Sequence, residues 1–235
     1  MPNFGVGPHN RPIPTNYLQD NPIYMKRIST LLLAFAAVML LAVSCKDCKP
    51  AQKGALEVIK ARTSIRSFTG DKLTEEQINT LLDAAMAAPT ASDIRPWRFV
   101  VLTGDEAKLG LYEREHHQKM VSEAGAVIVV CGETTRMARP RGAAEDAPLE
   151  EVPVRYWFED CSAATENLLL AATAMDLGAV WLSCYPNEKS VERVSKYLGL
   201  PANVVPLAIV PVGIPAENPE PKAKWNADNI HYEKW

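Results

Sequence analysis

With 235 residues, a net charge of −3 and 47% apolar content, the chain has the make-up of one soluble globular domain. That balance excludes a fibre or an intrinsically disordered chain. Nothing in it is basic enough to point to nucleic acid.

Residues 1–24 are rich in Pro and Asn and show no periodicity. They are expected to be a disordered leader or translated upstream sequence, with Met25 as the start. Residues 25–44 have the pattern of a signal peptide. Lys26 and Arg27 give the positive end, and Ile28 to Val43 is almost wholly apolar yet short for a membrane span. The run ends in Leu41-Ala42-Val43-Ser44-Cys45, which resembles the lipobox of bacterial lipoproteins, whose cysteine becomes the lipidated first residue. An uncleaved membrane anchor and a buried helix are the other readings of this run. On the lipoprotein reading Cys45 carries a lipid anchor, residues 45–53 are a short tether, and residues 54–235 are the folded domain. The protein then faces the periplasm or the cell surface; a cytoplasmic place follows if the signal is misread.

Cys45 and Cys48 have Cys-x-x-Cys spacing, but no second pair follows at zinc spacing, so no metal site is expected. Cys131, Cys161 and Cys184 lie inside apolar patterns and are expected in the core.

Within the domain, Leu56, Ile59 and Lys60 outline a short helix. Thr74-Glu75-Glu76-Gln77 is a capping box, followed by Ile78, Leu81, Leu82 and Ala85 at helical spacing. That helix must stop near Ala88, because Pro89 disfavours helical geometry in the residue before it. A polar loop, Pro89 to Trp97, leads into a strand over 98–103. Residues 106–123 are charged and predict one helix. Ala126 to Cys131 is a continuous apolar run of strand length, so a central strand covered on both faces is expected. Residues 136–152 have no usable period and are expected to be a loop or lid, with at most a turn or two of helix.

The longest periodic stretch is 154–177. Trp157, Cys161, Ala164, Leu168, Ala171 and Met175 recur at alternating four- and three-residue steps, the seam of a helix packed on another helix. Small residues there would suit a dimer axis, and an ordinary core helix fits the pattern equally. Gly178 is expected to end the helix, with a strand over 179–184 beyond it. A helix over 187–198 follows, with Val191, Val194 and Leu198 on one face. Residues 204–212 predict a strand whose prolines suit an edge or a bulge better than the sheet centre. The Pro-rich tail ends with Trp225, Tyr232 and Trp235, aromatic side chains for which a partner subunit offers one place of burial.

The segment Arg62-Thr63-Ser64-Ile65-Arg66-Ser67-Phe68 carries the densest chemistry. Guanidinium groups are planar forks that match phosphate oxygens, and hydroxyls and backbone N–H groups can fill the rest. Ile65 and Phe68 would pin the segment to the core while its polar residues face out. By itself the segment reads first as an exposed basic turn.

This segment resembles the opening signature of the flavin-dependent nitroreductase family. Ala88 to Trp97 (APTASDIRPW) resembles the family's second signature, usually Ala-Pro-Ser-x-x-Asn-x-Gln-Pro-Trp. Asp160 to Leu170 with Leu177-Gly178 looks like its central helix, and Pro211 to Pro215 with Pro221 to Lys224 like its carboxyl-terminal signature. The resemblance runs from about Ala55 to Trp235 in order and spacing. It implies an α+β three-layer sandwich, a mainly antiparallel sheet between helices. It also implies a homodimer with FMN in each interface cleft, and hydride transfer from NAD(P)H through flavin to a nitroaromatic, quinone or related acceptor in ping-pong order.

Carried over by position, Arg62, Ser64 and Arg66 would hold the phosphate and ribityl chain, and Thr63 would add backbone contact. Lys222 and Lys224 would complete the phosphate site. Pro89, Thr90, Ala91 and Asp93 would border the flavin ring of the partner subunit. Trp181, Leu182 and Ser183 would meet the flavin face and N5. A further polar contact falls at His117, Gln118 or Lys119. No catalytic side chain is implied, because the flavin carries the chemistry. Two positions depart from the motif: Asp93 stands for Asn and Arg95 for Gln. An ionised carboxylate cannot donate to a flavin carbonyl, and Arg95 could pair with it. The pair is expected to tune flavin potential or substrate choice. Reductive dehalogenation or flavin fragmentation on the same fold, and a lipid-anchored binding protein without turnover, are the alternatives.

Overall fold

The computed structural model describes residues 53–115 and 118–235. The expectations for the leader (1–24), the signal peptide (25–44), the Cys45 anchor, the tether as far as Gln52, and His116 and His117 lie outside these residues.

The sheet follows from apolar runs that need cover on both faces. Strands β1 (Trp97–Leu102), β2 (Ala126–Glu133) and β7 (Val204–Gly213) are joined antiparallel, and the short β5 (Gly178–Ala179) and β6 (Leu182–Ser183) pair with the far side of β7. In β2, side chains alternate between two cores. Ala126, Ile128 and Val130 point to one face; Val127, Val129 and Cys131 point to the other. The first face is covered by α2 (Glu75–Met86) and α5 (Trp157–Ala174) through Leu81, Ala85, Ala164 and Leu168. The second is covered by α3 (Asp105–Arg114), α4 (Lys119–Glu123) and α6 (Glu188–Leu198) through Leu111, Val121 and Val194. The result is the three-layer α+β sandwich that the resemblance implied.

Helix α2 begins at the expected capping box: Thr74 Oγ1 accepts from Gln77 N at 3.1 Å, and Gln77 Oε1 accepts from Thr74 N at 2.9 Å. Such a cap stabilises a helix by ~1 kcal/mol. Asn187 caps α6 in the same manner, accepting from Ser190 N at 3.1 Å.

Five expectations are corrected. The single helix over 106–123 is two, α3 and α4, because the chain turns extended at Glu115 and Gln118. Residues 136–152 form no helix; β3 (Thr135–Ala138) and β4 (Glu150–Pro153) pair as an antiparallel hairpin arm around a loop. Strand β7 lies inside the sheet, between β2 and the β5/β6 edge, so of the two readings its prolines allowed, an edge or a bulge, the edge is corrected and the register irregularity is found. Pro211 still supplies its carbonyl to Val180 N at 3.3 Å, and the register shifts between Val130 and Cys131, next to the Cys131–Pro206 pair. The strand expected over 179–184 is interrupted, with only β5 and β6 paired.

Gly178 is the fifth correction. Helix α5 ends at Met175, where Asp176 (φ 57°) reverses the chain. Gly178 instead begins β5, and a Cβ there would come within 2.6 Å of Ile65 Cγ2. The glycine allows a close approach rather than a helix stop. The seam of α5 also finds its place: Cys161, Ala164 and Leu168 are fully buried against the sheet and α2, the core-helix alternative.

Candidate functional site

Helix α1 (Ala55–Ala61) closes at Arg62, whose N–H donates to Val58 O at 2.9 Å. The chain then runs extended. Ile65 and Phe68 turn inward and are buried, and Ile65 N donates to Ala179 O at 3.1 Å. The polar residues between them are left facing out, as the pattern required. On its other side the segment meets the chain returning from β7. Phe68 bridges Pro215, Thr69 N donates to Ile214 O at 3.0 Å, and Ala216 N donates to Ser67 O at 2.9 Å. The carboxylate of Glu217 accepts from the N–H groups of both Arg66 and Ser67.

These contacts bring the two ends of the domain to one cleft of about 640 Å³. Lys60, Arg62, Thr63, Ser64 and Arg66 form one wall, and Pro221, Lys222, Ala223 and Lys224 the other. Arg62 is oriented from behind by Glu166 of α5, with Nε 3.4 Å from Oε1. Among the described residues no acidic side chain lines the cleft. Five cations, two hydroxyls and an apolar floor at Ile59 fit a phosphate monoester, whose two charges need neutralising and whose oxygens each take several donors. Sequence reasoning missed Lys60, Glu166 and Glu217. The charge of Lys60 was visible two residues before Arg62, whereas nothing local marks either glutamate.

A second basic cleft, of about 410 Å³, is lined by Arg114, Arg193, Lys196 and Tyr197 on the α3/α6 side. Its guanidinium groups are already engaged. Arg193 pairs with buried Glu115 at 3.0 Å, and Arg114 stacks over the Tyr197 ring at 4.6 Å while donating to Gly110 O. The first cleft is the better anion site on that ground.

The second motif forms a strained loop immediately before β1. Ser92, Asp93 and Arg95 all take φ of 54°, a left-handed geometry costing non-glycine residues roughly 1 kcal/mol or more each. Compensating bonds hold it. Asp160, buried at the start of α5, accepts from Ala91 N at 3.0 Å through Oδ1, while its Oδ2 has no hydrogen-bond partner among the described residues. Arg98 Nη1 donates to Arg95 O at 3.3 Å, and Thr90 Oγ1 accepts from Arg95 N at 3.4 Å. The expected pair is formed: Arg95 Nε and Nη2 donate to the two Asp93 oxygens at 2.6 and 2.7 Å. That hydrogen-bonded guanidinium holds the Asp93 carboxyl below the usual carboxylate range, so Asp93 is ionised at neutral pH.

Pro89, Thr90, Ala91 and Asp93 therefore stand together, but they do not line the cleft of their own chain. Trp181, Leu182 and Ser183 lie along the β5/β6 edge. Trp181 packs toward the α2/α5 core and Leu182 toward the opposite one, with Ser183 exposed. Gln118 precedes α4, and its side chain makes no cap there. The thiols of Cys131, Cys161 and Cys184 are buried, and burial pushes each up to about 12. They are core residues and not nucleophiles.

The profile of the nitroreductase family matches residues 59–214. A protein of Methanothermobacter thermautotrophicus, provisionally named NADH dehydrogenase/NAD(P)H nitroreductase, is 39% identical over 80% of this chain and 92% of its own length. A crystal structure of a Bacteroides thetaiotaomicron protein with the same provisional name superposes with a TM-score of 0.68 at 37% identity, covering 78% of this chain and 99% of that one. The NADPH:FMN oxidoreductase of Vibrio harveyi, solved with NAD+, gives a TM-score of 0.64 at 29% identity and covers 77% of each chain.

Proposed function

The chain belongs to the nitroreductase family, and from that membership we propose that it passes hydride from NADH or NADPH to a nitroaromatic, quinone or related acceptor in ping-pong order. It is an oxidoreductase, and its cofactor is FMN. The observation that carries the reading is the cleft where the cations of residues 60–66 meet Lys222 and Lys224.

FMN held in the cleft would supply the hydride-transfer chemistry. The chain's own residues bind and orient. Arg62, Arg66, Lys222 and Lys224 would neutralise the phosphate, the Ser64 hydroxyl would donate to one of its oxygens, and Thr63 would add a backbone contact. Trp181, Leu182 and Ser183 offer the ring a backbone edge. The paired Asp93 and Arg95 set the charge beside it. No protein nucleophile is called for.

A homodimer completes this site, because the Pro89–Asp93 loop stands away from its own cleft and is supplied to that of a second copy. The tail supports the same reading: Trp225, Tyr232 and Trp235 are 80%, 83% and 100% exposed on the single chain.

An anaerobic absorption spectrum tests the function. Purified protein saturated with FMN should stay yellow after desalting, and NADH or NADPH should bleach it, with colour restored by an acceptor. Protein that is colourless after desalting would overturn the proposal.

A lipid anchor at Cys45 is part of the same proposal and rests on the sequence of residues 25–45. Cys45→Ser is expected to move the protein from the membrane pellet to the soluble fraction. Unchanged sedimentation of the variant would remove the anchor.

A further inference from the structure

We propose that Glu217 is a positioning residue for the FMN phosphate, clasping the arm that bears Lys222 and Lys224 to the arginine segment before cofactor arrives. The inference rests on the cleft being the FMN phosphate site.

The geometry is unusual for a surface glutamate. Two successive N–H groups, from Arg66 and Ser67, converge on one oxygen, Oε1, from a residue about 150 positions away in sequence. Converging backbone N–H groups of this kind commonly hold an external anion. Here the chain's own carboxylate fills the role, so those two donors are spent on joining the cleft's walls.

The join matters because the arm beyond Glu217 is otherwise untethered. Residues 218–224 are exposed, and among the described residues no hydrogen bond ties them to the rest of the domain. Glu217 is the last fixed point of the arm before Lys222 and Lys224. The contacts at Ile214 and Ala216 set the arm's direction, and the Glu217 clasp sets its distance from Arg66. With the clasp in place the lysines wait beside Arg62 and Arg66, and less ordering entropy opposes binding. Without it, each encounter with FMN must first order the arm.

Charge alone argues for the opposite effect. A carboxylate beside an anion site repels a phosphate. On that view, neutralising Glu217 tightens FMN and shortening it does little. The two accounts therefore separate on a pair of variants. Glu217→Gln keeps the reach and an acceptor oxygen but loses the charge. Glu217→Asp keeps the charge but falls one methylene short of the two N–H groups.

FMN dissociation constants would be measured by flavin fluorescence titration. The rate at which trypsin cuts the cofactor-free protein after Lys222 and Lys224 would be measured beside them. The clasp predicts that Glu217→Asp binds FMN about tenfold more weakly and is cut faster, whereas Glu217→Gln stays within about threefold of wild type in both. A Glu217→Asp protein with wild-type affinity and wild-type cleavage overturns the inference, as does Glu217→Gln binding more tightly while Glu217→Asp is unchanged. Should wild-type protein take up no FMN, the cofactor reading fails, and the trypsin rates still decide the clasp.

Discussion

Converting Arg62 and Arg66 together to alanine is expected to weaken FMN binding at least ~100-fold while the protein still folds. A hydrogen bond to a charged group contributes ~1.5–3 kcal/mol, so two such donors to one phosphate account for ~3–6 kcal/mol. Each ~1.4 kcal/mol is a factor of ten in affinity. The fold should survive because neither guanidinium holds the core. Arg66 is exposed, and the partner of Arg62, Glu166, is half exposed at 3.4 Å, a pair that contributes at most ~1 kcal/mol. Isothermal titration with FMN at low and moderate salt measures both parts. The variant should also lose part of the salt dependence, since two of the cleft's five cations are removed while Lys60, Lys222 and Lys224 remain. A dissociation constant within threefold of wild type would put the phosphate elsewhere on the molecule.

Gly178→Val is expected to destabilise the domain by about 3 kcal/mol, the upper end of the usual range for forcing atoms into a packed core. A Cβ at this position would lie 2.6 Å from Ile65 Cγ2, 2.7 Å from its Cβ and 3.0 Å from Cγ1. Ile65 has little freedom to yield. It is buried, stiff at its branched Cβ, and its N–H is bonded to Ala179 O at 3.1 Å. For a domain of this size the loss corresponds to a fall in melting temperature of roughly 6–12 °C. It should appear as a lower urea midpoint with unchanged slope. Because Ile65 sits between Ser64 and Arg66, the push should also weaken FMN binding in protein that remains folded. A variant with wild-type midpoint and affinity would show that the Ile65 contact has slack. Glycine at 178 thus links the core to the cleft.

Much of the layer structure was legible because burial repeats with a local period. The capping box at Thr74–Gln77, the continuous run Ala126 to Cys131 and the stripe Val191, Val194, Leu198 each encode an element within a dozen residues. Where legibility failed, a distant partner decided the matter. The prolines of β7 allowed an edge or a bulge, and only β2 on one side and β5 with β6 on the other exclude the edge. Residues 136–152 have no period because their hairpin is paired mainly to itself and mostly exposed, so few faces need be apolar. The seam of α5 suited a dimer axis or a core equally, and only the sheet beneath it resolved the choice.

The sequence by itself marks helices and apolar strands, a cluster of cations and hydroxyls at Arg62–Arg66, an Asp93–Arg95 pair in a polar loop, and a lysine pair near the carboxyl end; the family resemblance adds the α+β sandwich. Tertiary structure alone decided that Arg66 and Glu217, 151 positions apart, touch; that the lysine pair faces the arginines across one cleft was implied only by the family resemblance. The reason is physical: a side chain's burial is set by its near neighbours along the chain, so it leaves a periodic trace. Which remote segments meet depends instead on strand register and on where β7 releases the tail, and no local pattern records that.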